Sequence, residues 1–205
     1  MVEKHHIQAP VEIITVEKHH IQAPVEIITL YLNIPQKYKH KCIEEIYKLG
    51  DSQDNITNLK CIMSSYWIWN ESKVFNSLLG NIHKIIISQY GEDTQTLEMI
   101  NAWSAIYKEG NYSVSHNHRP NSFSFVYYLK SNGTTPLIFE DCNFRINPLD
   151  DLLLIFPSYL NHHVPKHIGQ EDRICIAGNL DCKSTEDNKQ YKFANSQTVK
   201  NESKQ

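Results

Sequence analysis

Two histidines one residue apart, His116 and His118, begin the stretch HNHRPNSFSFVYYL, which continues into a run of aromatic and β-branched residues typical of a strand. In an extended chain, residues two positions apart point to the same side, so this pair can offer two imidazole ligands to one transition metal. A surface loop that contains two histidines by chance is the alternative. Taken alone, the spacing fits the loop better than a metal site.

A second pair, His162 and His163, follows the apolar run DLLLIFP at residues 151–157. A strand of continuous apolar residues cannot change its register freely, so it fixes the position of the residues that come after it. Adjacent residues of an extended chain point to opposite faces, so at most one of these two histidines can be a ligand. The alternative is a histidine in a turn.

Arg173 opens the alternating run RICIAGN and is one of only three arginines in the chain. Alternation places Cys175 and Ala177 on the same face of the strand as Arg173. Because these neighbours are small, the guanidinium has room to hold a carboxylate through two parallel hydrogen bonds. The alternative is an arginine of an edge strand in a surface ion pair. Each of these three features is weak evidence for a site by itself.

Composition limits the class of protein. The 205 residues carry a net charge of -3 and no basic block with interleaved aromatic residues, which gives no support for a nucleic-acid partner. The five cysteines are scattered without a C-x-x-C pair, as in proteins with reduced thiols, and exclude a zinc ribbon. No signal peptide is evident and no apolar run approaches ~18 residues. We therefore expect a soluble protein of the cytoplasm without a membrane partner.

A segment of 14 residues, VEKHHIQAPVEIIT, occurs at residues 2–15 and again, unchanged, at residues 16–29. Two copies of this length are too few and too short for a solenoid. Each copy ends in an alternating apolar piece that can form a strand, and we expect only one copy to have a place in the fold. Each copy also carries a histidine pair that would bind metal only adventitiously, namely His5, His6, His19 and His20.

Helical spacing comes first along the chain and strand spacing follows. The segment after Pro35 has one apolar helical face and ends at Gly50, and a longer helix is predicted at about residues 72–90. From about residue 98 the pattern alternates in short pieces separated by turn signals. These pieces are MINAWSAIYKEG, SFSFVYYLK, PLIFED, NFRIN, DLLLIFP and DRICIAGNL. The pattern predicts a mainly β (α+β) domain with helices packed on an antiparallel sandwich or barrel.

The same patterns divide the chain into three parts. We predict a duplicated segment at 1–30, a single domain at 31–182 whose β core covers about 98–180, and a tail at 183–205. The tail has too few apolar groups to offset the entropy lost on ordering, so we expect it to be disordered.

Three stretches taken together, HNHRPNSFSFVYYLK, FPSYLNHHV and RICIAGN, resemble the 2-oxoglutarate and Fe(II)-dependent oxygenases. They are most similar to a small phage and bacterial group, in which H-x-H-P precedes S-G-V-Y-Y-L and is followed by F-P-S-x-L-x-H-x-V and R-x-S-I-x-F-N. The resemblance covers roughly residues 98–180. It implies a double-stranded β-helix, a cupin-like jelly roll, with the N-terminal helices packed on one sheet.

The resemblance also implies an iron site. His116 is similar to the first iron ligand and His162 to the distal one, whereas His163 falls on a position that is not a ligand. The superfamily has a carboxylate as the third ligand, but His118 stands in that place here, and the narrower group has histidine there too. A three-histidine site is therefore implied, with Asp141 as the only nearby acid that could substitute.

A cosubstrate site is implied on the same grounds. Arg173 matches the residue that binds the far carboxylate of 2-oxoglutarate, and Tyr107 and Tyr128 match neighbours of the cosubstrate. The activity implied is hydroxylation of an unidentified substrate, with dioxygen converting 2-oxoglutarate to succinate and CO2. Fe(II) and 2-oxoglutarate would be required, and ascorbate is an optional additive. The sequence predicts neither the primary substrate nor the oligomeric state.

The motifs depart from the group at a few positions that are not ligands: Arg119, Phe125, Cys175 and Gly178. Phe125, where the group has glycine, would either narrow the site or fill the core. Two other functions stay open at this point. One is a three-histidine cupin, such as a thiol dioxygenase or an isomerase, that works without a keto acid. The other is a jelly-roll interaction domain with a degenerate site.

Overall fold

The structure, a computed structural model, describes residues 11–22, 25–51, 57–90 and 97–182. The tail predicted at 183–205 and the His5–His6 pair lie outside the described residues, and so do the side chains of His19 and His20. The helices are α1 (Gln36–Leu49), α2 (Ile68–Glu71) and α3 (Lys73–Tyr90). None of these described helices is long and apolar enough to cross a bilayer.

Twelve strands are found in the described residues. They are β1 (Glu12–Gln22), β2 (Val25–Asn33), β3 (Leu59–Lys60), β4 (Ile62–Met63), β5 (Leu97–Tyr107), β6 (Tyr112–His116), β7 (Phe123–Lys130), β8 (Leu137–Phe139), β9 (Phe144–Ile146), β10 (Leu152–Pro157), β11 (His162–Val164) and β12 (Arg173–Cys182).

The strands pair into two antiparallel sheets. One sheet has seven strands in the order β1-β2-β10-β7-β12-β5-β4, and the other has five in the order β3-β6-β11-β8-β9. From β5 to β12 the chain passes from one sheet to the other at every connection except the β8–β9 turn. This alternation is the double-stranded β-helix of a jelly roll, and it confirms the predicted fold class.

Two hydrophobic clusters lie on opposite faces of the seven-stranded sheet, as the alternation of side chains along a strand requires. On β10, Leu153 and Ile155 belong to a cluster that also contains apolar residues of α1 and α3. The intervening Leu152, Leu154 and Phe156 belong to a second cluster, which includes residues of β8 and β11 from the other sheet. The second cluster therefore fills the space between the two sheets.

The two copies of the repeat occupy different environments. Ile13 and Ile14 lie in the edge strand β1 and are 39% and 67% exposed, whereas their equivalents Ile27 and Ile28 lie in β2 and are fully buried. Both copies supply residues to strands, so the expectation that only one copy has a place in the fold is wrong. Only the second copy contributes these isoleucines to the core. The boundary predicted after residue 30 falls inside β2.

The long elements agree with the sequence pattern, but the four short strands β3, β4, β6 and β11 were not predicted. The helix predicted after Pro35 is α1, which ends before Gly50. His116 and His162 lie in β6 and β11, so the alternatives of a surface loop and of a turn do not describe them. These strands have only five and three residues, so neither is long enough to show an alternating pattern.

Two of the departures from the motif group, Phe125 and Gly178, lie opposite each other in the paired strands β7 and β12. Phe125 is 1% exposed and belongs to the cluster beneath the helices, so it fills core. A Cβ atom at Gly178 would lie 2.6 Å from the Phe125 ring and 2.6 Å from the carbonyl oxygen of Asn101. Relative to the motif group, the large and the small residue have exchanged strands, which keeps the volume of this core pair similar.

We expect Gly178→Ala to lower the free energy of unfolding by about 1–3 kcal/mol, because the added methyl group overlaps a backbone oxygen and a packed ring. Urea unfolding measures this change. Gly80→Ala is the matched control, since nothing lies within 4 Å of a Cβ added there in α3. Alanine should stabilise that helix by about 0.5–1 kcal/mol. Equal unfolding midpoints for the two variants would contradict the close packing at Gly178.

Candidate active site

Three histidines converge between strands β6 and β11. His162 begins β11 and pairs directly opposite His116, the last residue of β6, and His118 follows two residues after the end of β6. The ring centroids lie 4.5 Å apart for His116 and His162, 5.0 Å for His116 and His118, and 5.1 Å for His118 and His162. One nitrogen from each ring lies within 4.8 Å of the other two. The structure thus brings together all three histidines that the sequence singled out as metal ligands.

Backbone hydrogen bonds determine which nitrogen is free in two of these rings. Nδ1 of His116 lies 2.7 Å from the carbonyl oxygen of Val114, and Nδ1 of His162 lies 2.9 Å from that of Leu160. A carbonyl oxygen only accepts, so both Nδ1 atoms carry a proton and donate it. Nε2 of each ring therefore keeps its lone pair, which is the state that a metal ligand needs.

Burial keeps the cluster uncharged. It lowers the pKa of His118 to about 3, with a smaller contribution from the neighbouring His162 and His116. Burial also lowers the pKa of His162 to about 4 and lowers that of His116. Near neutral pH the three imidazoles are therefore neutral, and no proton has to leave before a metal ion binds.

Ser158 fixes the loop that carries His118. The His118 amide donates to the carbonyl of Ser158 (2.8 Å), and the Ser158 amide donates to the carbonyl of Ser122 (3.1 Å). The buried Ser158 hydroxyl lies 2.7 Å from that of Ser124, which donates to Oδ1 of Asn179 at 2.8 Å. Polar residues from three separate sequence motifs thus form one buried chain of hydrogen bonds that ends at the backbone of His118.

Asp141, the alternative ligand considered from the sequence, lies outside the histidine cluster. Its carboxylate accepts hydrogen bonds from the backbone amide (2.6 Å) and the side-chain amide (3.1 Å) of Asn161. Oδ1 of Asn161 in turn accepts from Nδ2 of Asn117 at 2.9 Å. Both asparagines are direct sequence neighbours of clustered histidines, so this network ties the two histidine-bearing segments together. The sequence analysis missed both, because no pattern distinguishes them from ordinary turn residues.

His163 points away from the cluster, as expected for a residue adjacent to His162 in an extended strand. Its Nδ1 lies 2.5 Å from Oε1 of Glu140, and Oε2 of Glu140 accepts a hydrogen bond from the Ser115 hydroxyl at 2.7 Å. These residues form a separate network on the other face of the five-stranded sheet.

Arg173 is a buried cation without an acidic partner. It is 2% exposed, and among the described residues no carboxylate forms an ion pair with it. One terminal nitrogen donates to the carbonyl of Thr135 and the other to the Tyr128 hydroxyl, both at 3.0 Å, whereas Nε has no partner. Its guanidinium carbon lies 5.4 Å and 4.9 Å from the ring centres of Tyr107 and Tyr128. A desolvated charge of this kind strongly favours an anionic ligand.

The two tyrosines beside Arg173 are uncharged hydrogen-bonding groups. Burial raises the pKa of Tyr128 to about 12 and raises that of Tyr107 well above its ordinary value. The Tyr128 oxygen accepts from Arg173, so its own proton is available to donate to a bound anion. The structure thus places the three residues predicted for the cosubstrate in one group.

Thr135 and His167 hold Arg173 in place through hydrogen bonds, and neither residue was predicted from the sequence. His167 is 2% exposed, and its Nε2 donates to the carbonyl of Glu171 at 2.9 Å. Its Nδ1 then accepts from the Thr135 hydroxyl at 2.9 Å, which orients the residue whose carbonyl holds Arg173. Both residues lie in irregular segments between strands, where periodicity gives no signal.

Two adjoining cavities meet at the histidines. The smaller one, of about 40 Å³, has room for about three water molecules and is lined by all three histidines and by Tyr107, Tyr128 and Arg173. An open cleft of about 540 Å³ shares His116, His118 and Trp103 with it but does not reach Arg173. The site is therefore a narrow charged pocket behind the histidines and a wide cleft in front of them.

Solved structures with the same fold exist, although no protein-family model and no curated protein sequence matches the chain. HygX from Streptomyces hygroscopicus, solved with nickel and 2-oxoglutarate bound, is 9% identical with a TM-score of 0.62, over 77% of this chain and 83% of its own. The collagen prolyl hydroxylase of Paramecium Bursaria Chlorella virus-1, solved with 2-oxoglutarate, is 15% identical with a TM-score of 0.54, over 71% and 90%.

The chain has the fold of the 2-oxoglutarate and Fe(II)-dependent oxygenases. A third similar structure, the α-ketoglutarate-dependent epimerase SnoN from nogalamycin biosynthesis, is 8% identical with a TM-score of 0.60, over 75% of this chain and 76% of its own. At such low identity the likeness concerns the fold. The activity of this chain has to be argued from its own site.

The buried histidines make stability depend on pH. The folded-state pKa values of His118 and His162, about 3 and about 4, lie below the ordinary 6.5. Between these pKa values and pH 6.5, the unfolded chain therefore binds more protons than the folded protein. The free energy of unfolding of metal-free protein should therefore fall as pH decreases below about 6.5, by up to about 1.4 kcal/mol per pH unit for each histidine. Urea unfolding between pH 7 and 4.5 measures this slope, and His118→Gln should reduce it. An unchanged slope in that variant would contradict the lowered pKa.

Proposed function

We propose that this protein is an Fe(II)- and 2-oxoglutarate-dependent dioxygenase that hydroxylates a substrate while 2-oxoglutarate becomes succinate and CO2. One observation carries the proposal. A single narrow cavity has three neutral histidines at one side and, at the other, a buried arginine that forms no ion pair with any carboxylate of the described residues. A metal ion and a dicarboxylate together match these two ends.

The histidines fit a divalent metal. His116 and His162 present Nε2 lone pairs that their backbone hydrogen bonds hold in place, and His118 completes the set. Imidazole suits iron, nickel, copper and zinc alike, so the donor set by itself does not choose the metal. The ligand nitrogens lie within 4.8 Å of one another, and small side-chain rotations would bring all three to one ion. We assign His116, His118 and His162 as the ligands.

The inner end of the cavity fits the far carboxylate of 2-oxoglutarate. The unpartnered Nε of Arg173 and the proton of Tyr128 are donors without another use, and Tyr107 covers the guanidinium. The cavity of about 40 Å³ is lined by these three residues and by the three histidines, so its two ends carry the two kinds of binding group. We therefore assign Arg173, Tyr128 and Tyr107 to cosubstrate binding.

The protein contributes binding, orientation and exclusion of water. Iron and 2-oxoglutarate, when bound, supply the oxidising chemistry that activates dioxygen. Arg173 would hold the cosubstrate by one carboxylate, and the histidines would hold the metal at the other end of the cavity. The ring centroids of Phe139 and Phe156, in the cluster between the sheets, lie 5.7 Å and 5.0 Å from that of His162. These apolar rings exclude water from their side of the histidine.

The comparisons support this assignment without supplying a substrate. HygX has been solved with nickel, 2-oxoglutarate and hygromycin B, and another structure of it with iron. The prolyl hydroxylases act on a proline residue, as their name states, and a Trichoplax adhaerens one was solved with a peptide fragment. One fold therefore accommodates unrelated substrates, and the substrate of this chain depends on its own cleft.

We expect His162→Ala to lower metal affinity and succinate formation by more than about 100-fold. Loss of a residue that only hydrogen-bonds to a metal ligand already lowers metal affinity or activity by about 10–100-fold. Metal titration and a 2-oxoglutarate turnover assay measure the two effects. His163→Ala is the control, since it removes the adjacent imidazole, which contacts Glu140 instead. If both variants bind metal equally well, His162 is not a ligand.

Arg173→Gln should raise the KM for 2-oxoglutarate on the order of 100-fold while metal affinity stays unchanged, because a buried charged hydrogen bond is lost. Arg173→Lys should lie between wild type and Arg173→Gln, since lysine keeps the charge but not the planar donors. A different result would follow for a three-histidine metalloenzyme that uses no keto acid. In that case Arg173→Gln would change the KM of the primary substrate alone.

A further inference from the structure

The open cleft in front of the histidines is rich in hydrogen-bond donors. Its volume of about 540 Å³ lies in the range of small-molecule sites. Besides two of the histidines, the polar side chains that line it are one threonine, one tyrosine, five asparagines and two cations, with no carboxylate among the described lining residues. They are Thr57, Tyr66, Asn58, Asn101, Asn117, Asn121, Asn179, Lys60 and Arg119.

The two cations of the cleft have no acidic partner in the described part of the chain. Lys60 donates to the carbonyl of Thr57 at 3.2 Å, which leaves its charge uncompensated. Arg119 lies with its guanidinium carbon 5.8 Å from the ring centre of Tyr159, and no ion pair involves it. Both side chains belong to exposed residues, so their attraction for an anion is moderate and sensitive to salt.

Trp103 supplies a third donor, deeper in the cleft. It is 3% exposed, and its buried Nε1 has no hydrogen-bond partner. The centroid of the indole lies 5.7 Å from that of the His118 ring. Trp103 lines both the cleft and the smaller cavity of about 40 Å³. An indole nitrogen only donates, and a buried donor without a partner costs free energy. A ligand at this position is therefore favoured if it presents an acceptor oxygen.

Several of the asparagines have already used their acceptor oxygens. Oδ1 of Asn101 accepts from Nδ2 of Asn179, and Oδ1 of Asn179 accepts from Ser124. Oδ1 of Asn117 accepts from the Arg119 amide. The Nδ2 groups of Asn117, Asn121 and Asn179 each already donate a hydrogen bond within the protein. The two cations are therefore the main groups of the cleft for recognition of an oxyanion, with the side-chain amide of Asn101 beside them.

We propose that the cleft binds the primary substrate and that this substrate is a small organic oxyanion, either a phosphate ester or a carboxylate. The inference rests on the proposed function for the identity of the cleft as the substrate site. Lys60 and Arg119 attract the anionic group, and Nε1 of Trp103 donates to a ligand oxygen close to His118. Three neutral metal ligands strengthen the preference, because no carboxylate of the described residues belongs to the histidine cluster and repels the anion there.

The test follows the indole N–H resonances in proton–nitrogen NMR spectra. The chain has three tryptophans, so three indole signals are expected, and Trp103→Phe identifies the one of interest. Glycerol, glycerol 3-phosphate and glycerate are titrated first, then glucose, glucose 6-phosphate and glucuronate. In at least one series an anionic member should bind at least about tenfold more tightly than its neutral parent. Raising salt from about 50 mM to about 500 mM should weaken that binding.

Matched charge removals complete the experiment. Lys60→Gln and Arg119→Gln should each reduce the preference for the anion several-fold, whereas Lys37→Gln in α1 and Arg145→Gln in β9 should leave it unchanged. The phosphate and carboxylate arms distinguish the two kinds of oxyanion. If no probe shifts the Trp103 signal, or if anions bind no more tightly than neutral parents, the proposal is wrong.

The same titrations separate this inference from the proposed function, because they are made on metal-free protein and again with zinc, a diamagnetic ion that suits imidazole ligands, and 2-oxoglutarate added. Binding of metal and 2-oxoglutarate without any anion preference in the cleft would overturn the inference alone. An anion preference in protein that binds neither metal nor 2-oxoglutarate would overturn the proposed function, and with it the role of the cleft as a substrate site.

Discussion

The pairing of β11 with β6 is the constraint on which the candidate site depends. It sets His162 directly opposite His116, and a shift by one residue would bring His163 to the inner face in its place. β11 has only three residues, so its own pairing is too short to fix this register. The register is fixed from outside β11, by the apolar strand β10 before it and by the turn at Ser158, whose backbone holds the amide of His118.

The buried hydrogen-bond chain through Ser158, Ser124 and Asn179 explains why three apolar strand motifs each contain a polar residue. Each hydroxyl or amide would cost free energy if buried alone, and together they satisfy one another. These hydrogen bonds connect β7, β12 and the turn after β10 to the loop that carries His118. The exchange of Phe125 and Gly178 lies in the same strand pair and keeps the core beneath it filled.

The sequence predicted the long elements and the chemical residues better than the contacts between them. α1, α3 and the long strands β5, β7, β10 and β12 of the seven-stranded sheet have enough residues for a helical or alternating period to show. His116, His118, His162 and Arg173 were found by residue type and by resemblance. The supporting residues Asn117, Asn161, Thr135 and His167 were missed, because each acts through hydrogen bonds that exist only in the folded chain. Nor could an identical repeat reveal that one copy would be buried and the other exposed.

Charge is distributed in this site so that binding events depend on one another. Three neutral histidines compensate none of the charge of a divalent ion, whereas a ligand set with a carboxylate would remove part of it. Arg173 adds a positive charge at the inner end of the same cavity, with no acid to balance it among the described residues. In the proposed function, a dicarboxylate bound between them would neutralise both ends, so it would stabilise the bound metal as much as the metal stabilises it. His118, in the usual place of an acid, would then make retention of the metal depend on the cosubstrate.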